Sequence, residues 1–157
     1  MALHFPNREV FTTSLAAYQY RPATPHETTP RVVINVVIEG LPTEAMVDTG
    51  GIYLLCHPQL ANQLSLDTSD AISGILSILF RGVLVQGRLY RLHVTLPADE
   101  GDDVPFEATA FVPEHDEEEQ WGDLPSILGF HGCLERIRMA TDPVSETFYF
   151  GPTSQPC

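Results

Sequence analysis

The sequence predicts a single, mainly β domain with one short helix near its C-terminus. Three observations carry that expectation. A run rich in β-branched residues, Arg31–Ile38, ends at the turn cluster Glu39-Gly40-Leu41-Pro42. Two further strand-like runs, Ile72–Leu79 and Val83–Leu96, flank Phe80-Arg81-Gly82 and read as a second hairpin. Helical periodicity is confined to short stretches. At 157 residues the chain is one domain, able to bury roughly two-thirds of its unfolded surface. Its 43% hydrophobic and 18% charged residues mark a globular protein.

Taken in order, Glu9–Tyr20 is a strand candidate, followed by a Pro/Thr-rich linker at residues 21–30. Arg31–Ile38 and Thr43–Val47 form an antiparallel pair that delivers Asp48, and Gly51–Leu55 is the β-type run by which the chain leaves. Pro58–Leu64 is a short helix with proline in its first turn. In Val83–Leu96 the two faces are mixed. Leu84, Gln86, Arg88, Tyr90, Leu92, Val94 and Leu96 share one, and Val85, Gly87, Leu89, Arg91, His93 and Thr95 the other. Phe106–Val112 is a strand. Leu134–Ala140 is the best helix, with Leu134, Ile137 and Ala140 at i, i+3 and i+6. Thr147–Phe150 is a closing strand. The domain body spans residues 31–151, preceded by the strand and linker of residues 1–30 and followed by a tail at 152–157.

Composition narrows the partners. A net charge of −13 makes nucleic acid and anionic membrane surfaces poor candidates. No apolar run reaches the ~20 residues that span a bilayer, and the N-terminus lacks the pattern of a secretory signal. Cys56, Cys133 and Cys157 are odd in number and unpaired in spacing, which fits reduced thiols in a cytoplasmic protein. Residues 99–123 hold eleven of the 21 acids and no Lys or Arg, as expected of a solvated loop. Within it, His115-Asp116-Glu117-Glu118-Glu119 lacks the spacing and glycine of a calcium loop, so no metal is expected.

The chemistry centres on Asp48-Thr49-Gly50. A carboxylate between two β-type runs is costly to bury unless something pairs with it, and a glycine two residues on lets the backbone turn away. Other nucleophile pairs are weaker. Cys56 and His57 are adjacent, so a strand would point them to opposite faces, and Cys133 near His131 has no flanking motif; both cysteines read as buried structural thiols.

Val47-Asp48-Thr49-Gly50, the hairpin at Ile72–Leu96 and Ser126-Ile127-Leu128-Gly129, followed by a helix and a strand, occur in an order that resembles the retroviral-type (retropepsin-like) aspartic proteases, most closely the bacterial single-domain members. The resemblance covers residues 31–151 and implies a closed acid-protease barrel. It implies an aspartic endopeptidase without cofactor, in which one motif per chain makes Asp48 half of a pair completed by a homodimer across a two-fold axis. Thr49, Gly50 and Gly51 become the active-site loop, and Phe80, Arg81 and Gly82 the flap tip. Ile52, Leu79, Val83 and Ile127 become apolar pockets for an extended peptide or protein substrate. Two departures stand out: Gly51 replaces the small Ala or Ser usual after the motif, and Gly74, Gly82 and Gly87 are widely spaced for a flap. A catalytically silent dimeric peptide-binding module is the alternative.

Overall fold

The computed structural model describes residues 2–114 and 121–153. Its thirteen strands are β1 (Leu3–His4), β2 (Val10–Thr12), β3 (Ser14–Ala17), β4 (Gln19–Pro22), β5 (Pro30–Ile38), β6 (Leu41–Ile52), β7 (Leu54–Leu55), β8 (Leu76–Phe80), β9 (Val83–Leu96), β10 (Val104–Pro113), β11 (Ser126–His131), β12 (Ile137–Asp142) and β13 (Thr147–Pro152). A seven-residue α-helix, α1, spans Pro58–Leu64. Eight strands form a sheet in the order β4-β5-β6-β11-β7-β10-β9-β8. A further pairing, Val37 with Thr95 and Ile38 with Val94, returns β9 to β5. The pairings β5–β6–β11–β7–β10–β9 therefore run in a ring. A smaller sheet, β12-β13-β3, packs beside it.

Local chemistry explains the hairpins. Glu39 and Gly40 both have positive φ, 48° and 80°, as a two-residue turn matching the twist of the flanking strands requires. Pairing between β5 and β6 begins at Ile38 opposite Leu41, so the turn is tighter than the four-residue cluster suggested. The Glu39 carboxylate accepts from the His93 N–H at 2.7 Å, fastening this turn to β9. Helix α1 starts where His57 Nδ1 accepts from the Gln59 N–H at 3.0 Å with Pro58 in the first turn, and ends at Ser65 with φ 50°.

The mixed faces of β9 have a structural reason. Its register with β10 runs unbroken from Leu96 to Gly87. Even-numbered Tyr90, Leu92, Val94 and Leu96 are buried in one apolar cluster, with Leu54, Ala108, Leu128 and Phe148. At the other end odd-numbered Val85 is buried in a second cluster with Phe80, Phe111, Trp121 and Leu124. One continuous strand thus has its two faces covered at opposite ends, and neither face reads as uniformly apolar.

The helix expected over Leu134–Ala140 does not form. Leu134–Arg136 makes a single 3-10 turn, and Ile137 onward is strand, paired residue by residue with β13 from Ile137 opposite Pro152 to Asp142 opposite Thr147. Six paired residues outweigh a helical pattern only seven residues long. Arg136 and Arg138 are correspondingly not on a helix face. Arg136 donates to the Glu107 carbonyl and to Thr109 Oγ1, at 2.8 and 3.0 Å, tying the turn to β10. Arg138 lies 5.7 Å from the ring centroids of both Phe5 and Phe11, holding the N-terminal strands. The Pro/Thr stretch is likewise packed on the body, with Ala23 and Thr24 buried. Among the described residues no helix is long and apolar enough to cross a membrane.

Leu84 and Leu92 share one face of β9, yet Leu84 is 71% exposed and Leu92 only 1%. Leu92→Ala is expected to cost about 2–5 kcal/mol of stability and Leu84→Ala less than about 0.5 kcal/mol, as read from urea unfolding. Equal effects would contradict the change of covered face.

Candidate active site

Asp48 stands where three strands cross. β6 carries it outward, and β11 runs parallel to β6, with Ile127, Leu128 and Gly129 opposite Met46, Val47 and Asp48. After Ile52 the chain reverses at Tyr53, whose φ is 59°, and returns as β7, antiparallel to the other side of β11. β11 is therefore inserted between the two arms of the Asp48 loop. Two hydrogen bonds lock it there: Gly129 N–H to the Tyr53 carbonyl at 2.8 Å, and Tyr53 N–H to the His131 carbonyl at 2.7 Å.

The glycine in β11 is a steric requirement. A Cβ at Gly129 would lie 2.6 Å from the Ile52 carbonyl carbon and from the Tyr53 oxygen, closer than side-chain atoms approach backbone. Beneath it Leu54 and Leu128 are fully buried, so the loop rests on a packed floor. The strand β6 passes through the motif as far as Ile52, and the sharp reversal comes at Tyr53 rather than at Gly50.

The Asp48 carboxylate is half-buried, with Oδ1 accepting from the Gly50 N–H at 3.0 Å. Among the described residues this is the partner it has. Thr49 and Gly50 are exposed at the surface. Gly51 comes close to the carboxylate, since a Cβ there would sit 3.3 Å from Asp48 Oδ2. The motif's glycines thus leave the carboxylate oxygens uncrowded.

A cleft of about 600 Å³ opens beside Asp48. Gly50, Gly51 and Ile52 line it from the loop, and Leu79, Phe80 and Arg81 from the β8–β9 hairpin. The hairpin turns at Arg81 and Gly82, both with positive φ, 52° and 82°. Phe80 is not at the tip: it is buried and stacked on Trp121, with centroids 4.3 Å apart and planes 16° from parallel. Of the pocket candidates, Ile52 and Leu79 line the cleft, whereas Val83 and Ile127 do not. Val83 is exposed on the hairpin, and Ile127 is buried in the cluster that holds Phe80 and Trp121.

Sequence reasoning passed over Glu27, Arg31 and Leu124, which line the same cleft. Glu27 arrives from the Pro/Thr stretch and pairs with Arg81 at 2.9 Å. A contact so distant in sequence leaves no local pattern. Trp121 did leave one, as the single tryptophan at the end of an acidic stretch. A larger groove, 780 Å³, lies elsewhere around His57 and Gln59. His57 there is occupied structurally, its Nδ1 capping α1 and its Nε2 3.4 Å from the Gly122 carbonyl. Cys56 and Cys133 are buried, and burial pushes both thiols up to about 12. Among the described residues no cluster of His, Cys, Asp and Glu could hold a metal, and His115–Glu119 lies outside those residues.

With this geometry in view, the comparisons divide sharply. No protein-family model and no curated protein matches the sequence. The likeness that exists is to a solved structure, in fold. The crystal structure of a retropepsin-like aspartic protease from Rickettsia conorii superposes with a TM-score of 0.50 over 88% of this chain and 92% of its own, at 19% identity. The chain shares that protein's fold. At so low an identity the likeness is one of fold alone.

Two outcomes follow from the packing. Gly129→Ala should part β11 from the Asp48 loop, lowering the melting temperature by several degrees; an unchanged melting curve would remove the steric argument. In a Cys157→Ser background, Cys56 and Cys133 should resist a thiol reagent at pH 8, where burial keeps both thiols protonated, and react once urea unfolds the chain. Rapid labelling of the folded protein would show them to be accessible.

Proposed function

We propose that the chain is an aspartic endopeptidase that works as a homodimer, with one Asp48 from each subunit. The observation that supports this most is the placement of Asp48: a half-buried carboxylate on a loop pinned by β11, at the edge of a cleft bounded by a hairpin. The shared fold with a solved retropepsin-like aspartic protease adds to it. The exposure of Thr49 and Gly50 leaves the motif open to a second copy, and a two-fold axis is the common symmetry of soluble dimers.

In such a dimer the two carboxylates cannot both ionise readily, so they share one proton and titrate as a unit. The ionised member takes a proton from the water held between them. That water attacks the scissile carbonyl while the protonated member donates to its oxygen. The tetrahedral intermediate then breaks its C–N bond, with a proton passing to the leaving amine. The reaction needs no cofactor and no metal. Ile52 and Leu79 would contact apolar side chains of an extended peptide bound along the cleft, and the hairpin tip at Arg81-Gly82 would act as the flap that excludes water. Residues 31–151 carry the catalytic unit in this reading, with residues 1–30 as an N-terminal extension. Reduced, buried Cys56 and Cys133 accord with a cytoplasmic location.

The decisive measurement is digestion of a peptide library by the purified protein and by Asp48→Asn. The variant is expected to lose about a thousandfold or more in kcat/KM while keeping its fold, and the wild type to work best at acidic to mildly acidic pH. Sizing should show a dimer under the conditions of cleavage. A folded, dimeric wild type that binds peptides and cuts none would leave the silent binding module as the function. Equal cleavage by Asp48→Asn would end the aspartic reading.

A further inference from the structure

The hairpin beside Asp48 is held by a residue from outside the hairpin. Arg81 at its turn donates from Nη2 to Glu27 Oε1 at 2.9 Å. Glu27 belongs to the segment between β4 and β5, and both residues line the cleft with Asp48. That segment is itself anchored. Ala23 is buried in the same apolar cluster as Phe80 and Trp121, and Thr24 is buried beside it. The Glu27 N–H donates to the Thr24 carbonyl at 3.2 Å and the His26 N–H to Thr24 Oγ1 at 3.3 Å, which folds the segment back towards the hairpin. Glu27 is the better buried of the pair, with 18% of its side chain exposed against 47% for Arg81.

From this we infer that Glu27 is a positioning residue: through Arg81 it latches the hairpin tip over the Asp48 cleft, so that the chain ahead of β5 controls how the cleft closes. The inference rests on the protease reading for its catalytic consequence, but the latch itself does not. Among the described residues Glu27 Oε2 is buried without a hydrogen-bond partner, so there the carboxylate is held through one oxygen. Such a contact secures the tip, because parting it would leave a largely buried carboxylate unpaired. Phe80 stacked on Trp121 supplies an apolar anchor next to it.

The chain's single tryptophan, Trp121, stacks on the residue next to Arg81 and so reports on the latch without any substrate. Acrylamide quenching of its emission should rise about twofold in Glu27→Gln and in Arg81→Gln. The double variant should be no worse than either single one, because all three lack the same contact. Molar salt should move the wild type towards the variants and leave the variants unchanged. With a cleaved peptide, Glu27→Gln should raise KM about fivefold with kcat within about twofold, since the tip holds peptide in ground and transition states alike. Quenching in Glu27→Gln equal to wild type, or effects of the two substitutions that simply add, would overturn the latch. If Asp48-dependent cleavage persists with unchanged quenching, the latch fails and the protease reading stands. If nothing is cleaved while quenching behaves as expected, the latch stands and the protease reading fails.

Discussion

The structure around Asp48 depends on one constraint, the passage of β11 between β6 and β7. A strand threaded between two arms of one loop must hydrogen-bond on both edges, and it does, parallel to Met46–Asp48 and antiparallel to Leu54–Leu55. The close approach that follows admits no side chain at Gly129. Once these pairings exist, the Cα–Cβ direction of Asp48 is set by backbone geometry, and the Gly50 N–H holds its carboxylate at 3.0 Å. A carboxylate placed this way keeps its position when neighbouring side chains move. That is the property a reacting group needs, because small displacements cost rate steeply.

The same passage organises the apolar interior. Leu128 faces the cluster under β9 and β10, while its neighbour Ile127 faces the one under the hairpin. Alternation along a strand thus divides the molecule into a scaffold core and a core that supports the cleft. Burial of Ile127, rather than its exposure in a substrate pocket, is a consequence of that division. Phe80 belongs to the second core for the same reason, since its ring stacks on Trp121 and leaves the turn to Arg81 and Gly82.

Much of this was legible in the sequence. Asp48-Thr49-Gly50, the second hairpin arm and the later Ile127-Leu128-Gly129 announced themselves through local signals: β-branched runs, turn residues and a glycine after an apolar pair. The first arm, expected over Ile72–Leu79, is strand only from Leu76 to Phe80. Val83–Leu96 and Pro58–Leu64 fell where the pattern put them. What failed depended on distant partners. Leu134–Ala140 has helical spacing, but β13 offers a full set of strand partners, and pairing decided the conformation. The two faces of β9 looked ambiguous because each is buried over only half its length. Glu27 was invisible for a related reason, since an ion pair between segments far apart leaves no periodicity to read. The resemblance to retropepsin-like proteases pointed to the candidate site, whereas the tie between the Pro/Thr stretch and the hairpin needed coordinates.

The threading of β11 also has a consequence for biosynthesis. Asp48 is made well before Ser126–His131, the strand that fixes its loop. While the ribosome is still adding residues before Ser126, β6 and β7 have a vacant slot between them, and the loop has no Gly129 to fold over. Long-range pairings of this kind form late because the intervening chain must first be closed into a loop. The loop that carries the carboxylate is therefore set only once β11 has been made. A nascent chain carries the motif long before it carries the site.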